Sequence, residues 1–504
     1  MNHKSALMRA APVLVVKRLA AAFLVMFAAM ALGSEGLAKT AAAASADAAA
    51  PPNIIIILAD DHGYADWGKA AEQQGFETPN LDHMAAQGVY LDNFYVAQAI
   101  CSASRAALLT GSYSNRIGIS FALDFASKVA LNPNEITIAE LLKTRGYATG
   151  IVGKWHLGST LPYMPLRQGF DEYFGLPYSH DMWPYHPVTP NYYPPLPLYD
   201  GERVVELNPD PAHLTERYSA HAIDFIHRHR NQPFFLYLAH NMPHVPLGAS
   251  ARFRGKSKRG LYGDAVEELD WSVGQVLDAL KKEGIDRRTL VIFASDNGPW
   301  KPYGDHAGSA DPLRGEKATT FDGGTRVPFI AWWPGHIPAG EVIHTPAMTI
   351  DLFPTVARLA GARMPTDRVI DGRDIWPVLS GKTKAPPHDA LYFYWGNALQ
   401  AVLSGRWKLH LPHTYTHTVI PGHGGLPGTS KELKIGESLY DMEADPGESR
   451  NVAAEHPDVV ARMMRVVEQA REELGDSVTG QTGRDLRRAA VVDPPSQARS
   501  GQRK

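Results

Sequence analysis

The stretch that decides the fold is NIIIILADDHG, residues 53–63, where an unbroken apolar run ends in two acidic residues. A short run of β-branched side chains without polar alternation is typical of a strand buried on both faces of a parallel sheet. Comparable runs recur at 147–152, 234–239, 290–294 and 327–333. Helical patterns lie between these runs, and strands that alternate with helices predict an α/β fold. We therefore expect a large, mostly parallel central sheet flanked by helices.

The helical pattern is clearest at 264–281, where apolar residues recur every three or four positions. After about residue 380 the pattern changes to short strands with turns, closed by an amphipathic helix near 456–474. This change predicts a small antiparallel sheet plus a helix beside the main domain. The end of the chain is rich in Arg, Gln, Asp and Ser, a composition typical of disorder. The predicted organisation is a main α/β domain at 52–380, a small α+β subdomain at 381–477 and a disordered tail at 478–504.

The N-terminus has the pattern of an export signal. Four basic residues precede the apolar run 19–33, and Gly36-Leu37-Ala38 fits the small-x-small pattern of a cleavage site. We expect a signal peptide at 1–38, a flexible leader at 39–51 and a mature protein in a periplasm or outside the cell. An uncleaved anchor is the weaker alternative, because a spanning helix needs about 20 apolar residues. No stable membrane anchor is therefore expected.

The composition argues against two classes of protein. The 504 residues include 50 Lys and Arg against 53 Asp and Glu, which gives a formal net charge of −3. A near-neutral chain lacks the basic surface of a nucleic-acid-binding protein or of a protein held on membranes by charge. No nucleic-acid partner is therefore expected, and nothing in the composition indicates an oligomeric state.

Acidic residues follow two of the predicted strands. Asp60 and Asp61 come after the first, and Asp296 and Asn297 come after the strand at 290–294. Ligands bind at the carboxyl ends of strands in open α/β sheets, and oxygen donors suit Ca²⁺ or Mg²⁺ rather than zinc. The alternative for each pair alone is a turn or a helix N-cap.

Basic residues follow the same kind of strand end. Lys154 and His156 come after the strand at 147–152, and alternation along an extended segment points them to the same side. His244 follows another strand, and Lys317 lies in a glycine-rich loop. Together they predict a pocket for a tetrahedral oxyanion. Taken singly, each lysine could be solvated and each histidine structural.

The segment CSASR, residues 101–105, contains the only cysteine of the chain. A single cysteine in an exported protein has no intramolecular partner for a disulfide. From the residue alone, three roles stay open. Cys101 could be a buried bystander, a catalytic thiol or the precursor of another group.

CSASRAALLTG resembles the signature of the type I sulfatases, which belong to the alkaline-phosphatase superfamily. Further segments resemble family blocks in family order, from about residue 52 to about residue 470. These segments are ADDHG, GKWHLG, PHVP, SDNG, LRGEKATTFDGGTRVPFIAWWPG, GRWKLHL and LYDMEADPGE. Within the family, LPYSHD at 176–181 looks closest to the arylsulfatase A and N-acetylgalactosamine-6-sulfatase types. The resemblance implies an alkaline-phosphatase-like sheet in the catalytic domain.

The resemblance also implies roles for single residues. A formylglycine-generating enzyme would convert Cys101 to formylglycine (3-oxoalanine), the nucleophile, which also lies against the metal. Arg105 would hold the hydrated aldehyde. The residues implied as Ca²⁺ ligands are Asp60, Asp61, Asp296 and Asn297, with Mg²⁺ as the less favoured ion. The residues implied around the aldehyde hydrate and the sulfate are Lys154, His156, Ser179, His244 and Lys317. Ala103 stands where many members have Pro, which bears only on the efficiency of the conversion.

The implied activity is that of a sulfuric ester hydrolase that cleaves sulfate monoesters through an enzyme-bound sulfate. His244 would protonate the leaving oxygen as general acid, and His156 would take the proton whose loss releases sulfate. The implied substrate is a sulfated small molecule or a sulfated carbohydrate. Two alternatives stay open: a formylglycine-dependent phosphate or phosphonate ester hydrolase, and a non-catalytic protein that binds sulfate esters.

Two segments carry hypotheses about the substrate. The aromatic and proline-rich segment 180–199 is either a wall that contacts a sugar or aryl group, or surface packing. The segment 408–425 gathers His410, His413, His417 and His423. Their irregular spacing speaks against a transition-metal site and leaves a loop over the pocket, with His413 or His417 on the substrate.

Overall fold

The structure, a computed structural model, describes residues 51–492. The predicted signal peptide and leader residues 39–50 lie outside the described residues, as do residues 493–504. The described part contains ten α-helices: α1 (Gly68–Gln74), α2 (Pro79–Ala86), α3 (Cys101–Thr110), α4 (Ile138–Lys143), α5 (Leu214–His229), α6 (Leu261–Lys282), α7 (Asp322–Thr325), α8 (Leu352–Leu359), α9 (Trp376–Leu379) and α10 (Pro457–Leu474).

The strands of the described part fall into one large sheet and several small ones. They are β1 (Asn53–Ala59), β2 (Val89–Leu91), β3 (Phe94–Tyr95), β4 (Val129–Ala130), β5 (Ala148–Lys154), β6 (Glu172–Leu176), β7 (Pro197–Asp200), β8 (Arg203–Leu207), β9 (Phe234–Ala239), β10 (Thr289–Ser295), β11 (Phe329–Trp332), β12 (Glu341–Ile343), β13 (Ala347–Met348), β14 (Leu391–Trp395), β15 (Ala398–Ser404), β16 (Trp407–His410), β17 (His413–Ile420), β18 (Thr429–Ile435), β19 (Ser438–Asp441) and β20 (Ala490–Val491).

The large sheet has the strand order β12-β2-β11-β10-β1-β9-β5-β6-β7-β8. Its centre, β10-β1-β9-β5-β6, is parallel throughout, and the strands outside it are mostly antiparallel. The predicted α/β fold with a large, mostly parallel sheet is confirmed. The carboxyl ends of the central strands all lie along one edge, where the predicted ligand residues follow them.

The apolar run of β1 lies between two layers of helices. Ile54, Ile56 and Leu58 pack into a core shared with α3, α4 and α8, whereas Ile55 and Ile57 pack into a core shared with α5 and α6. Both faces of the strand are therefore buried, which explains the absence of polar alternation.

The C-terminal part forms a separate antiparallel sheet, β14-β15-β16-β19. Helix α10 packs on this sheet, and its apolar face shares a core with Leu399, Leu409 and Leu439. The hairpin β17–β18 is a two-stranded sheet of its own, and most of its residues are at least half-exposed.

The tail departs from the expectation of disorder over residues 478–492. Strand β20 pairs with β4 of the main domain. Arg487 donates hydrogen bonds to Glu135, to the Val369 carbonyl and to Ser112. A polar composition indicates that a segment cannot bury much apolar surface, but here hydrogen bonds to the main domain hold the segment. Within the described residues, no helix is both long and apolar enough to cross a membrane.

Candidate active site

The four predicted metal ligands meet at the carboxyl ends of β1 and β10. These strands are parallel neighbours, and Ala59 lies opposite Ser295, so the residues that follow them lie side by side. The Asp61 amide donates to Asp296 Oδ1 over 3.2 Å, and Asn297 Nδ2 donates to Asp61 Oδ1 over 2.7 Å. All four side chains are buried.

The carboxylates of this cluster differ in their electrostatics. Burial would raise the pKa of Asp60, but Lys154, His244 and Arg105 outweigh it and hold that pKa well below its usual range. Burial and the charge of Asp60 raise the pKa of Asp296 to about 6. Burial also raises the pKa of Asp61, although Lys317 opposes it. Burial therefore disfavours the charged forms of Asp61 and Asp296, although lysines and an arginine lie beside them.

Cys101 is the first residue of helix α3, and its thiol faces the carboxylates. Its Sγ lies 3.5 Å from Asp60 Oδ1, and only 2% of the residue is exposed. Donor atoms of Asp60, Asp61, Cys101 and His244 lie within 4.8 Å of one another. Burial raises the pKa of the thiol far above its ordinary value, although Lys154 and Lys317 lie near it. The thiol is therefore protonated and shielded from solvent.

Arg105 lies one turn further along α3 and is fully buried. Its Nε and one terminal nitrogen lie 3.0 and 2.9 Å from Asp296 Oδ2, and the other terminal nitrogen donates to the Lys154 carbonyl. The same guanidinium lies 3.5 Å from Asp60. Arg105 therefore connects α3, β5 and both acidic strand ends.

Lys154 ends strand β5, and its ammonium lies 2.5 Å from Asp60 Oδ2 and 3.1 Å from Ser179 Oγ. His156 has a φ of 66°, so the segment is not extended there as the alternation argument assumed. Burial and the charge of Lys154 lower the pKa of His156 well below its usual range, so the ring is neutral at pH 7. Its Nε2 lies 2.6 Å from the Leu123 carbonyl and donates to it. Nδ1 is then an unprotonated nitrogen, and it is buried without a partner among the described residues.

His244 and Lys317 lie on the side of Asp61. Lys317 Nζ lies 2.8 Å from Asp61 Oδ1, and His244 Nε2 lies 3.6 Å from Asp61 Oδ2. His244 Nδ1 lies 2.5 Å from the Val245 carbonyl. Burial, assisted by the charge of Lys317, lowers the pKa of His244 to about 4. The structure thus brings all eleven predicted site residues into one region of buried charge.

Known proteins match both parts of this chain. A family model described as Sulfatase matches residues 52–362, and one described as the C-terminal region of aryl-sulfatase matches residues 386–494. The chain is 40% identical over 478 residues to N-acetylgalactosamine-6-sulfatase of Rattus norvegicus, covering 87% of this chain and 88% of that protein. The chain belongs to the sulfatase family. It is also 38% identical over 453 residues to arylsulfatase A of Homo sapiens, with 84% and 88% of the two chains covered. The protein is therefore a sulfatase and hydrolyses sulfate esters.

Solved structures agree with this assignment. The PsFucS1 sulfatase from Pseudoalteromonas sp. superposes with a TM-score of 0.75 at 26% identity, over 84% of this chain and 91% of that chain. Ps i-CgsB in complex with k-i-k-neocarrahexaose superposes with a TM-score of 0.68 at 31% identity, over 83% of this chain and 92% of that chain. The family resemblance drawn from the motifs is confirmed.

Three further residues of the sulfatase line the site and were not predicted. The His180 ring lies 5.6 Å from the His244 ring, and Asp181 is buried beside it. The ring of Trp300 lies 5.4 Å from His244 and 4.4 Å from the Lys317 ammonium. The sequence contained a signal from which these three residues could have been predicted. His180 and Asp181 belong to LPYSHD, and Trp300 directly follows the SDNGP turn.

The two segments with substrate hypotheses have different surroundings in this sulfatase. In 180–199 the rings pack on one another, and Tyr185 and Tyr192 remain exposed. The four histidines of 408–425 do not converge. His410 is buried against Glu448, and the His413 ring lies near the rings of His410 and Phe321. His417 and His423 are exposed, on or beside the hairpin β17–β18. No metal-binding group of the described residues includes any of them.

The cluster at β1 and β10 fits a hard cation. Its donors are carboxylate and amide oxygens, which Ca²⁺ and Mg²⁺ prefer. Asn297 Oδ1 is buried and has no hydrogen-bond partner among the described residues. A buried carbonyl oxygen without a partner is costly, and coordination to a cation would satisfy it.

Proposed function

We propose that this sulfatase hydrolyses sulfate monoesters with a formylglycine made from Cys101 and a bound Ca²⁺ ion. The observation that carries the proposal is the position of Cys101, whose Sγ lies 3.5 Å from Asp60 Oδ1 inside the carboxylate cluster. A protonated, buried thiol is a poor nucleophile. The hydrate of an aldehyde at this position supplies an oxygen nucleophile and keeps a second hydroxyl through which sulfate is released.

For the metal we propose Asp60, Asp61, Asp296 and Asn297 as ligands, with residue 101 against the ion. Their oxygen-only donor set supports Ca²⁺ or Mg²⁺, and the family resemblance favours Ca²⁺. Held by these residues, Ca²⁺ would supply positive charge that stabilises the charge developing as the S–O bond breaks.

Three side chains are proposed to bind the sulfate group. The ammonium groups of Lys154 and Lys317 contact the cluster at Asp60 and Asp61 respectively. Ser179 Oγ accepts a hydrogen bond from Lys154 and adds a polar contact. Arg105 holds Asp296 and Asp60 in place and carries positive charge to the same region. Buried cations at fixed positions stabilise an oxyanion strongly, because little water screens them.

Two histidines are proposed to move protons. His156 is neutral and points an unprotonated Nδ1 into a buried space, which suits a base. His244 is proposed as the general acid for the leaving oxygen. Because the pKa of His244 is low, the ring must gain a proton before it can act as an acid. The negative charge of a bound sulfate ester favours this, since it raises the pKa of a neighbouring histidine.

The proposed substrate is a sulfated carbohydrate or a sulfated small molecule. A relative is named for N-acetylgalactosamine 6-sulfate and a structural neighbour holds k-i-k-neocarrahexaose, which supports a carbohydrate. The N-terminal pattern supports export to a periplasm or to the outside of the cell. A formylglycine-generating enzyme is the proposed partner during maturation.

The test is the mass of the peptide that contains residue 101, from protein made in its native host. An aldehyde at this position with activity on 4-nitrophenyl sulfate is expected, together with loss of activity in Cys101→Ala. The matching phosphate ester, run in parallel, is expected to react far more slowly. An intact thiol in fully active protein, or undiminished sulfate release by Cys101→Ala, would overturn the proposal.

A further inference from the structure

The loop that carries Lys317 is held by the C-terminal sheet and hairpin rather than by the main domain alone. This loop, residues 314–325, is called the lysine loop here. Two backbone amides of the loop bond to the main domain, Lys317 to the Pro299 carbonyl and Ala318 to the Ala99 carbonyl. Most side-chain contacts on either side of Lys317 come from residues 400–448, while Tyr95 and Arg326 of the main domain contact the Asp322 carboxylate.

The strongest of these contacts is a buried ionic network. Lys408 Nζ, on β16, lies 2.7 Å from Asp322 Oδ1 and 3.0 Å from Glu448 Oε1, and all three side chains are 0% exposed. The other carboxylate oxygen of Glu448 accepts from the Asp322 amide over 2.7 Å. Because all of these charges are buried, removal of one leaves the others uncompensated.

A second contact lies directly beside Lys317. The side chain of Glu316 accepts hydrogen bonds from the amide and the hydroxyl of Thr418, on β17, over 3.0 and 2.9 Å. At the start of the loop, Arg314 donates to the hydroxyls of Tyr440 and Tyr415 and to the Glu448 carbonyl. The loop is thus held on both sides of the lysine.

The loop needs such support, because its backbone is strained next to the lysine. Ala318 has a φ of 69°, a left-handed conformation that non-glycine residues avoid. Strained residues persist only where the surrounding structure determines their conformation. The contacts from the C-terminal sheet and hairpin are placed to do this.

We propose that Lys408, Glu448 and Thr418 are positioning residues, through which the C-terminal sheet and hairpin hold the Lys317 ammonium against Asp61 for sulfate binding. This inference rests on the proposed role of Lys317. The three residues act through the lysine loop and do not touch the substrate. Activity then depends on a part of the chain that supplies no group to the chemistry.

The test measures kcat/KM on 4-nitrophenyl sulfate for Lys408→Met and Thr418→Val. A misplaced binding group costs up to about 100-fold, so we expect a loss of roughly 10- to 100-fold for Lys408→Met and of about threefold or more for Thr418→Val. Arg406→Met is the control for the first, because Arg406 pairs with Asp441 at the surface beside the same strand. Thr416→Val, at an exposed position of the same hairpin strand, is the control for the second. Both controls are expected to keep wild-type kcat/KM.

A double-mutant cycle separates positioning from a general loss of structure. In the Lys317→Ala background, Thr418→Val and Lys408→Met are expected to lower the residual kcat/KM by less than about twofold, because the group they position is absent. Losses that multiply in both backgrounds overturn the inference, as does wild-type kcat/KM for Thr418→Val. If Lys408→Met does not fold, as circular dichroism would report, Thr418→Val decides alone. Wild-type activity of Lys317→Ala would instead count against the proposed function.

Discussion

At the scale of residues, the site is a balance of buried charges. Arg105, Lys154 and Lys317 face Asp60, Asp61 and Asp296, and each of these side chains is at most 5% exposed. Three positive and three negative charges cancel before any ion binds. A divalent cation would make the region positive, which favours the binding of a sulfate ester. The protein therefore supplies both the acidic cradle for a cation and the lysines that then receive an anion.

Arg105 offers a test of this balance. Arg105→Met leaves Asp296 and Asp60 without their guanidinium partner, and loss of one member of a buried pair costs about 3–5 kcal/mol in the free energy of unfolding. Arg105→Lys keeps the charge but loses the two contacts to Asp296, so a smaller loss is expected. Urea denaturation of both variants measures the difference. Equal stability of both variants and the wild type would contradict this account.

The metal ligands offer a second test, with a readout other than activity. After treatment with a chelator, the melting temperature is expected to rise with added Ca²⁺, because a ligand that binds only the folded state stabilises it. Asn297→Leu, which removes the unpartnered oxygen, is expected to shift this rise to higher Ca²⁺ concentration. Parallel titrations with Mg²⁺ show which ion the site prefers. A melting temperature indifferent to both ions would contradict the proposed ligand set.

At the scale of elements, helix α6 carries an acid that couples stability to pH. Glu268 is buried and accepts a hydrogen bond from the Ser250 amide over 2.7 Å, while its other oxygen has no partner among the described residues. Burial raises the pKa of Glu268 from an ordinary 4.5 to about 7. The folded protein therefore binds a proton more tightly than the unfolded chain does between these two values.

The sign of the pH effect follows from this difference. The contribution of Glu268 to the free energy of unfolding is fully present below about pH 4.5, and it is lost as the pH rises through about 7. Glu268→Gln imitates the protonated acid and is expected to be more stable than the wild type at pH 8, by up to about 3 kcal/mol, and close to it near pH 5. Urea denaturation at the two pH values measures this. If Glu268→Gln and the wild type differ in stability by the same amount at both pH values, Glu268 does not titrate in this range.

The sequence predicted the elements that have strong apolar patterns. Four of the five strands of the parallel centre, β1, β5, β9 and β10, were expected within two residues of their observed bounds, as was α10, because runs and stripes of apolar residues report burial directly. The fifth strand, β6, was not predicted. The hairpin β17–β18 was missed. Its strands HTYTHTVI and TSKELKI are half-exposed or exposed along most of their length, so they show no alternation of apolar residues.

The residues of the candidate site could be predicted from the sequence, but the contacts that hold them in place could not. The eleven predicted residues are conspicuous because they follow strands, belong to motifs, or both. The support of Lys317 by Thr418 and Lys408 was not visible, since contacts across about 100 residues of sequence leave no local pattern. Asp322 and Glu448 read locally as a helix start and a turn, and only the fold shows that they share one lysine.

At the scale of the whole molecule, the C-terminal end of the described residues packs back on the main domain. Strand β20 pairs with β4, and Arg487 donates to Glu135, Val369 and Ser112. Arg487→Ala is expected to lower the free energy of unfolding by about 1–3 kcal/mol, because buried acceptors lose a charged donor. Arg488→Ala, at an exposed neighbouring position, is the control. Equal urea midpoints for both variants would show that the hydrogen bonds of Arg487 contribute nothing to stability.

The depth at which Cys101 lies sets an order of events during synthesis. In the folded protein Cys101 is 2% exposed and its thiol is protonated. Another enzyme therefore cannot reach the residue, and no reactive thiolate is present. If residue 101 becomes an aldehyde, as proposed, the conversion must be complete before α3 docks on the sheet. Conversion of Cys101 and folding of the newly made chain then compete with each other. The share of molecules that become active enzyme is decided by which of the two is faster, and conditions that accelerate folding would lower the specific activity of the product.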